Sequence, residues 1–303
     1  MKCCSPERTE AQPRVAPQPP PTGASEPGPT SDLRMIQLPG GVFTMGDDGQ
    51  WHYPDDGEAP ARPMVVAPFA IAATAVSNEQ FKDFVDKTGY VSEAEQFEWS
   101  FVFAGLLPNE FQPTRGVAEA PWWRQVYGAT WRTPEGPHSS FEGRADHPVV
   151  HVTCNDAMAY AIWHGVRLPT EAEWEYACRA GSTSTFWWGD ELLSSGAHMI
   201  NVFQGDFPEH NTAEDGWPGT CPVDAFAANA FGLHNTLGNV WEWTSDLWNT
   251  QDRRVMKGGS YLCHESYCRR YRCSARMSST IDSSAGNIGF RIASDAIDIT
   301  HQR

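Results

Sequence analysis

The sequence predicts a single α+β domain in which short helices and strands are joined by many loops. Glycine and proline occur 26 and 23 times in 303 residues, which exceeds average usage and favours turns over long elements. Apolar residues make up 40% of the chain, which is enough for a hydrophobic core. Helices and strands do not alternate as in βαβ units, and no internal repeat is visible. A doubly wound α/β fold is therefore not expected.

The first 32 residues differ in composition from the rest of the chain. They are rich in Pro, Ser, Thr, Glu and Gln and poor in apolar residues, so they cannot bury enough surface to offset the entropy of ordering. We predict a disordered tail at residues 1–32, followed by one domain at residues 33–303. The domain begins near Met35, where residues 35–43 are typical of a strand, a glycine turn and a second strand.

Three helices are predicted, each from a polar residue that can cap its N-terminus and a glycine that can end it. The predicted caps are Ser77 with Gln80, Asn155 or Asp156, and Thr170 with Glu173, and the predicted ends are Gly89, Gly165 and a point near Gly181. Residues 90–148 lack clear periodicity and are rich in Trp, Pro and Gly. A loop region of that length inside a domain is usually functional.

The net charge of −16 restricts the expected partners. A surface this acidic repels phosphate backbones and anionic lipids, so neither nucleic acid nor a membrane is expected as a partner, whereas peptides that carry arginine are favoured. No apolar stretch has the length of a transmembrane helix, and the N-terminus has no apolar signal-peptide region, so a cytoplasmic location is predicted. Eight cysteines in 303 residues do not indicate a disulfide scaffold.

The segment that says most about chemistry is 258–273, which carries Cys263, Cys268 and Cys273 at equal spacing. Cationic neighbours lower the pKa of a thiol and favour the thiolate, which is a nucleophile and a soft metal ligand. The cationic side chains in and beside this segment are His264, Arg269, Arg270, Arg272 and Arg276.

Four roles compete for these cysteines. Buried structural thiols are common, but three of them in so charged a stretch are not. A zinc site needs four N or S ligands, often in Cys-x-x-Cys pairs, and this segment has no such pair for zinc or for a redox motif. Two thiolates without a complete tetrahedral set suit Cu(I). The chemistry alone leaves Cu(I) or a redox thiol pair level with a plain disulfide.

The segment 258–276 closely resembles the active-site strand and loop of formylglycine-generating enzymes, the sulfatase-modifying factor family. The run Arg167–Tyr176 marks the wider superfamily, whereas the pair Cys263 and Cys268 is specific to the oxidase. The resemblance extends over residues 35–295. It implies a single irregular α+β domain related to C-type lectin folds. Further matching segments are 38–46, 76–90, 147–152, 235–243, 282–284 and 287–291.

The resemblance also implies an activity. Such an enzyme uses Cu(I) and O2, with a thiol reductant, to convert the cysteine of a Cys-x-Pro-x-Arg motif in an unfolded or nascent sulfatase polypeptide to Cα-formylglycine. Cys263 and Cys268 match the copper ligands, and Ser260 matches a serine beside that pair, where its hydroxyl would orient oxygen or water. Trp241, Ser284 and Asn287 match residues that line the peptide groove. As alternatives, Ser260 would only bond backbone, and Trp241, Ser284 and Asn287 would be structural, with Trp241 in the core.

Two calcium sites follow from the same resemblance, and they would brace a fold with many loops. The matching ligands are Asn201, Val202, Asp215 and Trp217 for the first site, and Asn235, Gly238, Val240 and Glu242 for the second. The alternative is that the Asn and Asp residues only make turns. The resemblance further pairs Cys178 with Cys273 as a possible disulfide. A second bridge of the family is missing, since Ala161 and Ile292 stand at its positions.

Two rival functions follow from the shared fold. An iron-dependent sulfoxide synthase would need a separate domain that supplies histidine ligands, and this chain has no room for it. A non-catalytic, lectin-like binding or regulatory paralogue would lack the copper cysteines, and both are present here.

The tail itself contains the motif of the expected substrate. Residues Cys4 to Arg8 read Cys-Ser-Pro-Glu-Arg, which is a Cys-x-Pro-x-Arg sequence. Chance in a proline-rich tail is one explanation. The other is that the tail is a self-substrate or an autoinhibitory peptide of its own domain.

Overall fold

The computed structural model describes residues 5–8 and 33–296. Its helices are α1 (Asn78–Thr88), α2 (Glu93–Phe97), α3 (Cys154–Trp163) and α4 (Glu171–Arg179), with 3-10 turns at Pro54–Asp56 and Ala104–Leu106. Its strands are β1 (Met35–Leu38), β2 (Gly41–Met45), β3 (Arg62–Val66), β4 (Phe69–Ala72), β5 (Trp99–Phe103), β6 (Gly116–Val117), β7 (Ala120–Tyr127), β8 (Leu193–Ser194), β9 (Ala197–His198), β10 (Gly205–Asp206), β11 (His210–Asn211), β12 (Trp241–Leu247), β13 (Arg253–Lys257), β14 (Arg276–Thr280), β15 (Ile288–Phe290) and β16 (Ala293–Asp295). None of the described helices has the length and apolar character needed to cross a membrane.

The strands form several small sheets, as the predicted loop-rich α+β class requires. The largest sheet has the order β14-β13-β12-β15, in which β12 and β15 are parallel and the other pairs are antiparallel. Within residues 5–8 and 33–296, two sheets have three strands, β1-β4-β16 and β5-β7-β6, and three sheets have two strands. The cysteine segment connects β13 to β14, so the four-stranded sheet holds both of its ends. The predicted relation to C-type lectin folds stays a prediction.

An aromatic core packs α1 against α3. The ring centroid of Phe84 in α1 lies 5.6 Å from that of Tyr160 and 5.4 Å from that of Trp163, both in α3. Phe81 stacks on Tyr160 at 6.1 Å. All four side chains are buried, and truncating such a ring typically costs about 3–5 kcal/mol. Packing of their apolar faces therefore fixes these short helices more than intrinsic helix propensity does.

The helix boundaries confirm two of the three predicted caps. Both predicted capping boxes are present, Ser77 with Gln80 and Thr170 with Glu173, and α1 ends at Gly89. The predicted cap of α3 is wrong, because Thr153 is the N-cap and Asp156 is the third helical residue. The Asp156 carboxylate accepts from the Thr153 N–H at 2.8 Å and from the Tyr90 hydroxyl at 2.9 Å. Asp156 therefore connects the start of α3 to the segment between α1 and α2, where Tyr90 lies.

The prediction of a long loop region at residues 90–148 is wrong in part, because α2 and the three-stranded sheet β5-β7-β6 lie there. The amino-acid pattern of these elements does not reveal them, for two physical reasons. All five residues of β5 are buried, so the strand shows no polar–apolar alternation. The helix α2 has five residues, too few to establish a period.

The predicted strands at residues 35–43 are both present, but they pair with different partners. β1 is antiparallel to β4, and β2 is antiparallel to β3. Gly40 separates them with a φ of +67°, and a Cβ at this position would lie 2.3 Å from Val66 O. Glycine is required there because both the backbone conformation and the close approach exclude a side chain. The predicted disordered tail, residues 1–32, lies outside the described residues apart from Ser5–Arg8.

Candidate active site

The cysteine loop begins with a crossing that only glycine allows. Gly258 and Gly259 have φ values of +98° and +77°. A Cβ on Gly259 would lie 2.9 Å from Tyr271 Cα and 3.0 Å from Arg270 O. Because Gly259 carries no Cβ, the start of the loop can pass directly against its end, while Gly258 passes close to Thr236 O, 2.7 Å from where its Cβ would lie. The residues between, including Cys263 and Cys268, form a closed turn beside β13 and β14.

Two local hydrogen bonds then set the positions of the sulfurs. The Cys263 N–H donates to Ser260 O at 2.9 Å, and the Cys268 N–H donates to His264 O at 2.8 Å. Cys263 Sγ consequently lies 3.6 Å from Cys268 Sγ, and both residues are buried. Cys268 is disulfide-bonded, whereas Cys263 takes part in no disulfide. At 3.6 Å the two sulfurs are not bonded to each other.

The separation of the sulfurs fits two thiolates on one soft metal ion, once Cys268 is reduced. Metal–sulfur bonds of about 2.3 Å place two sulfurs about 3.8 Å apart at a tetrahedral angle and about 4.0 Å apart at a trigonal angle, so a small opening of the observed pair would admit the ion. The Ser260 N–H points at Cys263 Sγ from 3.4 Å, which favours negative charge on that sulfur. Among residues 5–8 and 33–296, no group of three or more His, Cys, Asp and Glu side chains could hold a metal ion. A site of only two cysteine sulfurs has fewer ligands than such a group, so this finding does not bear on Cys263 and Cys268.

The expectation that arginines activate these thiols needs correction. Arg270 Nη1 lies 4.0 Å from Cys268 Sγ, but its guanidinium is paired with Asp56 at 2.5 Å and 3.1 Å. Arg272 is paired with Glu58 through two contacts of 2.8 Å. The carboxylates largely neutralise the cations, so these arginines fasten the loop to residues 56–58 more than they activate a thiol. Sequence reasoning missed the carboxylates because they lie 214 residues away along the chain.

The predicted residues Ser260, Asn287 and Trp241 lie together next to the cysteine loop. Asn287 Nδ2 donates to Ser260 Oγ at 3.0 Å, and the Leu262 N–H donates to the same oxygen at 3.3 Å. The Trp241 N–H donates to Asn287 O at 2.9 Å. With two bonds accepted, the Ser260 hydroxyl retains its proton to donate. Trp241 is completely buried, so its assignment to the core fits as well as its assignment to a groove.

A buried relay that includes Ser284 has no counterpart among the sequence predictions. His151 Nδ1 lies 2.8 Å from Ser100 Oγ, and that hydroxyl lies 2.8 Å from Ser284 Oγ. Burial lowers the pKa of His151 to about 4, so the imidazole is neutral at neutral pH. His151 also lines a cavity of about 250 Å³ together with Tyr261 and Gly286. No sequence signal placed a histidine here beyond its position in a matching segment.

The described residues of the tail contact this same region. The guanidinium of Arg8 lies over the rings of Phe97 and Trp99, with its Cζ 3.9 Å and 3.8 Å from the ring centroids. Its Nη2 donates to Trp99 O at 2.8 Å and to Ser284 Oγ at 3.3 Å, and its Nε donates to Asp282 O at 3.0 Å. Aromatic faces and carbonyl oxygens that converge in this way suit a planar cation, so these residues form an arginine pocket.

The first predicted calcium set has the character of a cation site. Asn201 Oδ1 is buried and has no hydrogen-bond partner within the described ranges. The Asp215 carboxylate accepts from the N–H groups of Val202 at 3.1 Å and Trp217 at 2.9 Å. These bonds bring three of the four predicted ligand residues together. Burial raises the pKa of Asp215. The donor set therefore fits calcium.

The second predicted set fits less completely. Asn235 Oδ1 is likewise buried without a partner in the described part of the chain, and Asn235 has a φ of +46°. The Glu242 carboxylate, however, is paired with Arg291 at 2.8 Å and 2.9 Å and accepts from Trp174 Nε1 at 2.7 Å. Its charge is already compensated. Gly238 packs so closely that a Cβ would lie 2.3 Å from Asn201 O, so the two sets adjoin.

The remaining cysteines within the described ranges are thiols. Cys178 Sγ and Cys273 Sγ lie 3.5 Å apart as free thiols, so the structure brings the predicted pair together without bonding it. The thiol contact and burial raise the pKa of Cys273 well above its usual value. Cys154 and Cys221 are also free, and burial raises the pKa of each to about 12. Burial therefore does not prepare these thiols for reaction as thiolates.

Comparison with known proteins places this site in a family. The family model of the sulfatase-modifying factor enzyme 1-like domain matches residues 22–296. The formylglycine-generating enzyme of Bos taurus is 51% identical over 296 residues, which cover 91% of this chain and 79% of the relative. The inactive C-alpha-formylglycine-generating enzyme 2 of Bos taurus is 43% identical over 281 residues, which cover 89% and 91%. Among solved structures, PvdO from Pseudomonas aeruginosa matches with a TM-score of 0.61 at 26% identity, covering 86% of this chain and 94% of PvdO.

These matches confirm the family resemblance drawn from residues 258–276. The family model spans all of residues 33–296, and a relative exceeds half identity over most of both chains. The chain belongs to the sulfatase-modifying factor enzyme 1-like family.

Proposed function

We propose that this chain converts the cysteine of a Cys-x-Pro-x-Arg motif in an unfolded or nascent sulfatase polypeptide to Cα-formylglycine. The observation that carries the proposal is the buried sulfur pair, 3.6 Å apart, in a site that also contains an arginine pocket. One short loop connects the two features. Ser284 contacts the arginine, and Asn287 contacts Ser260 beside Cys263.

We further propose that reduced Cys263 and Cys268 hold one Cu(I), since soft thiolates in a pair suit that ion. When bound, the copper supplies the redox chemistry with O2 that removes a hydrogen from the substrate Cβ. The balance is one peptidyl thiol, one O2 and two molecules of a thiol reductant, giving the aldehyde, hydrogen sulfide, water and one disulfide. The reductant thus provides the two electrons that the substrate does not.

The protein's own residues position the reactants and exclude water. Burial of both sulfurs keeps bulk water from the reacting Cβ. Asn287 holds the Ser260 oxygen at 3.0 Å, which leaves the hydroxyl proton for a polar group at the site. The relay from His151 through Ser100 to Ser284 orients the hydroxyl that meets the substrate arginine. Holding reactants in a well-oriented geometry can lower the activation free energy by on the order of 7–11 kcal/mol.

Calcium is proposed as a structural ion at the first set, Asn201, Val202, Asp215 and Trp217. At the second set, Asn235 and the carbonyls of Gly238 and Val240 suit calcium, whereas Glu242 already has a cationic partner in Arg291. A cytoplasmic location and the absence of nucleic acid and membrane partners stay predictions from composition.

The alternative is a non-catalytic binding paralogue, since a relative named as inactive is 43% identical. Both functions allow peptide binding, but only the oxidase requires the sulfur pair. The test incubates the protein with Cu(I), O2, a thiol reductant and a Cys-x-Pro-x-Arg peptide, followed by mass spectrometry. Replacement of the peptide's sulfur and two hydrogens by one oxygen supports the oxidase. An unmodified peptide that nevertheless binds indicates the paralogue, and Cys263→Ser is the matched negative control.

A further inference from the structure

Residues 5–8 of the tail lie against the domain. Ser5 is 1% exposed, Arg8 is 6% exposed and Pro6 is buried. These residues belong to the sequence Cys4-Ser5-Pro6-Glu7-Arg8, which is a Cys-x-Pro-x-Arg motif. Cys4 lies outside the described residues. We propose that the chain's own N-terminal segment occupies the groove for sulfatase peptides and competes with them within the same molecule. This proposal rests on the proposed function.

The contacts of Arg8 are those of a recognised residue rather than of a side chain resting on a surface. Its guanidinium faces two aromatic rings and donates to two backbone carbonyls and one hydroxyl. Desolvation lowers its pKa to about 10, and the charges of Asp282, Glu93 and Asp156 oppose that change. Arg8 therefore stays charged at neutral pH. A buried cation is tolerated only where the surroundings are arranged for it.

The flanking contacts fix the segment in one register. The Arg8 N–H donates to Ser283 Oγ at 2.9 Å, which anchors the backbone. Glu7 Oε1 lies 2.5 Å from Arg253 Nη2, so the residue before the arginine is held by an ion pair with β13. The backbone, Glu7 and Arg8 thus each have a specific partner. Chance contact of a proline-rich tail with an acidic surface would not produce three such contacts in the motif itself.

The groove that receives Arg8 is the one that contains the proposed substrate residues. The sequence resemblance assigns Ser284 to the peptide groove independently of its contact with the tail. Its hydroxyl accepts from Arg8, and its loop continues to Asn287, which contacts Ser260 next to Cys263. A sulfatase peptide with its arginine in the same pocket would therefore collide with the tail. The two cannot bind together.

Tethering makes this competition effective. A segment joined to its site by a short linker has an effective concentration near the millimolar range, so even a weakly bound tail occupies its site most of the time. If the dissociation constant of the segment is about tenfold below that effective concentration, the concentration of free peptide needed for half-occupancy rises by about tenfold. Loss of Arg8 should lower the apparent KM for a Cys-x-Pro-x-Arg peptide by about that factor and leave kcat unchanged.

The experiment uses the full chain and three variants. Arg8→Ala removes the guanidinium, Arg8→Lys keeps the charge without the planar fork, and Arg14→Ala removes a tail arginine outside the motif. Binding is measured by fluorescence anisotropy with a labelled Ser-x-Pro-x-Arg peptide, which cannot be oxidised. Turnover is measured separately with the cysteine peptide. We expect about tenfold tighter binding for Arg8→Ala, a smaller gain for Arg8→Lys and wild-type affinity for Arg14→Ala.

The outcomes separate this inference from the proposed function. Tighter peptide binding by Arg8→Ala without any turnover would support the competing tail and contradict the oxidase. Equal affinity of Arg8→Ala and the wild type would overturn the inference, whatever the turnover. The difference should also be independent of protein concentration. A difference that disappears on dilution would place the tail of one molecule in the groove of another and would overturn the intramolecular form proposed here.

Discussion

Replacing Glu58 by alanine tests whether a buried ion pair fastens the cysteine loop. Glu58 is 1% exposed, and its carboxylate accepts two bonds of 2.8 Å from Arg272, whose side chain is 2% exposed. The same carboxylate accepts from Ser274 Oγ at 3.1 Å and from the Tyr53 N–H at 3.1 Å. After the substitution, the described carboxylate left for the buried guanidinium is that of Asp47 at 3.4 Å.

The expected loss of stability follows from these contacts. Removing one partner of a buried ion pair typically costs about 3–5 kcal/mol, because the other charge stays buried. Asp47 keeps part of the compensation, so we expect a loss of about 3 kcal/mol from the free energy of unfolding. For a domain of this size, each kcal/mol lowers Tm by roughly 2–4 °C, which gives a decrease of about 6–12 °C. Thermal and urea unfolding of the purified protein measure both quantities.

The matched control is Asp86→Ala, which removes the exposed ion pair between Asp86 and Lys82. Their side chains are 49% and 46% exposed, and pairs of that kind contribute about 0.3–0.5 kcal/mol. A decrease in Tm for Glu58→Ala no larger than that of the control would refute the reasoning. We also expect Glu58→Ala to lose peptide turnover below its own Tm, because Arg272 and Cys268 share one loop.

Four further predictions concern the cysteines, calcium and pH. Replacing Cys263 or Cys268 by serine should abolish turnover with little change in Tm, since the change is nearly isosteric; wild-type turnover would rule out the sulfur pair. Cys273→Ser should retain most activity, because Cys273 contacts Cys178, and a loss as great as that of Cys268→Ser would mean that the ligand pair is misassigned. Chelation of calcium should lower Tm, less so in Asn201→Ala, while the folded protein keeps its copper affinity in a titration; an unchanged Tm would count against both sites. Burial and the nearby Asp156 carboxylate raise the pKa of Glu93 from 4.5 to about 7, and burial raises the pKa of Asp156 from 3.8 to about 6. The folded state therefore holds protons that the unfolded state has released, and stability should fall as pH rises through these values. Glu93→Gln should flatten that decline in pH-dependent unfolding, and a parallel decline would show that another group causes it.

The sequence predicted the elements whose signals are local. The box of Thr170 with Glu173 needs only four residues, and the structure contains it. Prediction failed where tertiary burial removes the pattern, as in β5, whose Trp99 to Phe103 are all buried. It also misplaced the cap of α3, because Thr153 and Asp156 are both good capping residues and only the geometry distinguishes their roles.

The candidate site shows the same division. Cys263 and Cys268 lie on one short loop, so a match to the family motif is sufficient to predict that their sulfurs are neighbours. The role of Arg270 did not follow, because its partner Asp56 lies 214 residues away and no periodicity connects them. The relay from His151 through Ser100 to Ser284 was missed for the same reason, since it joins three separate segments.

The sulfur pair of Cys263 and Cys268 lies on a loop that is held from outside, because the described structure has no strand between β13 and β14. The Phe203 N–H donates to Cys263 O at 3.1 Å, and the Tyr261 N–H donates to Asn239 O at 2.9 Å. The Asn239 N–H in turn donates to Asn201 O at 2.8 Å, which connects the loop to the first predicted calcium set. Each such bond contributes about 1 kcal/mol, so several must act together to offset the entropy of ordering the loop. An ion at Asn201 would hold the 201–203 segment, and with it the carbonyl of Cys263, without touching either sulfur. Calcium would therefore act on stability and on the orientation of the loop backbone, whereas the proposed metal affinity at the sulfurs would depend on the short turns between Ser260 and Cys268.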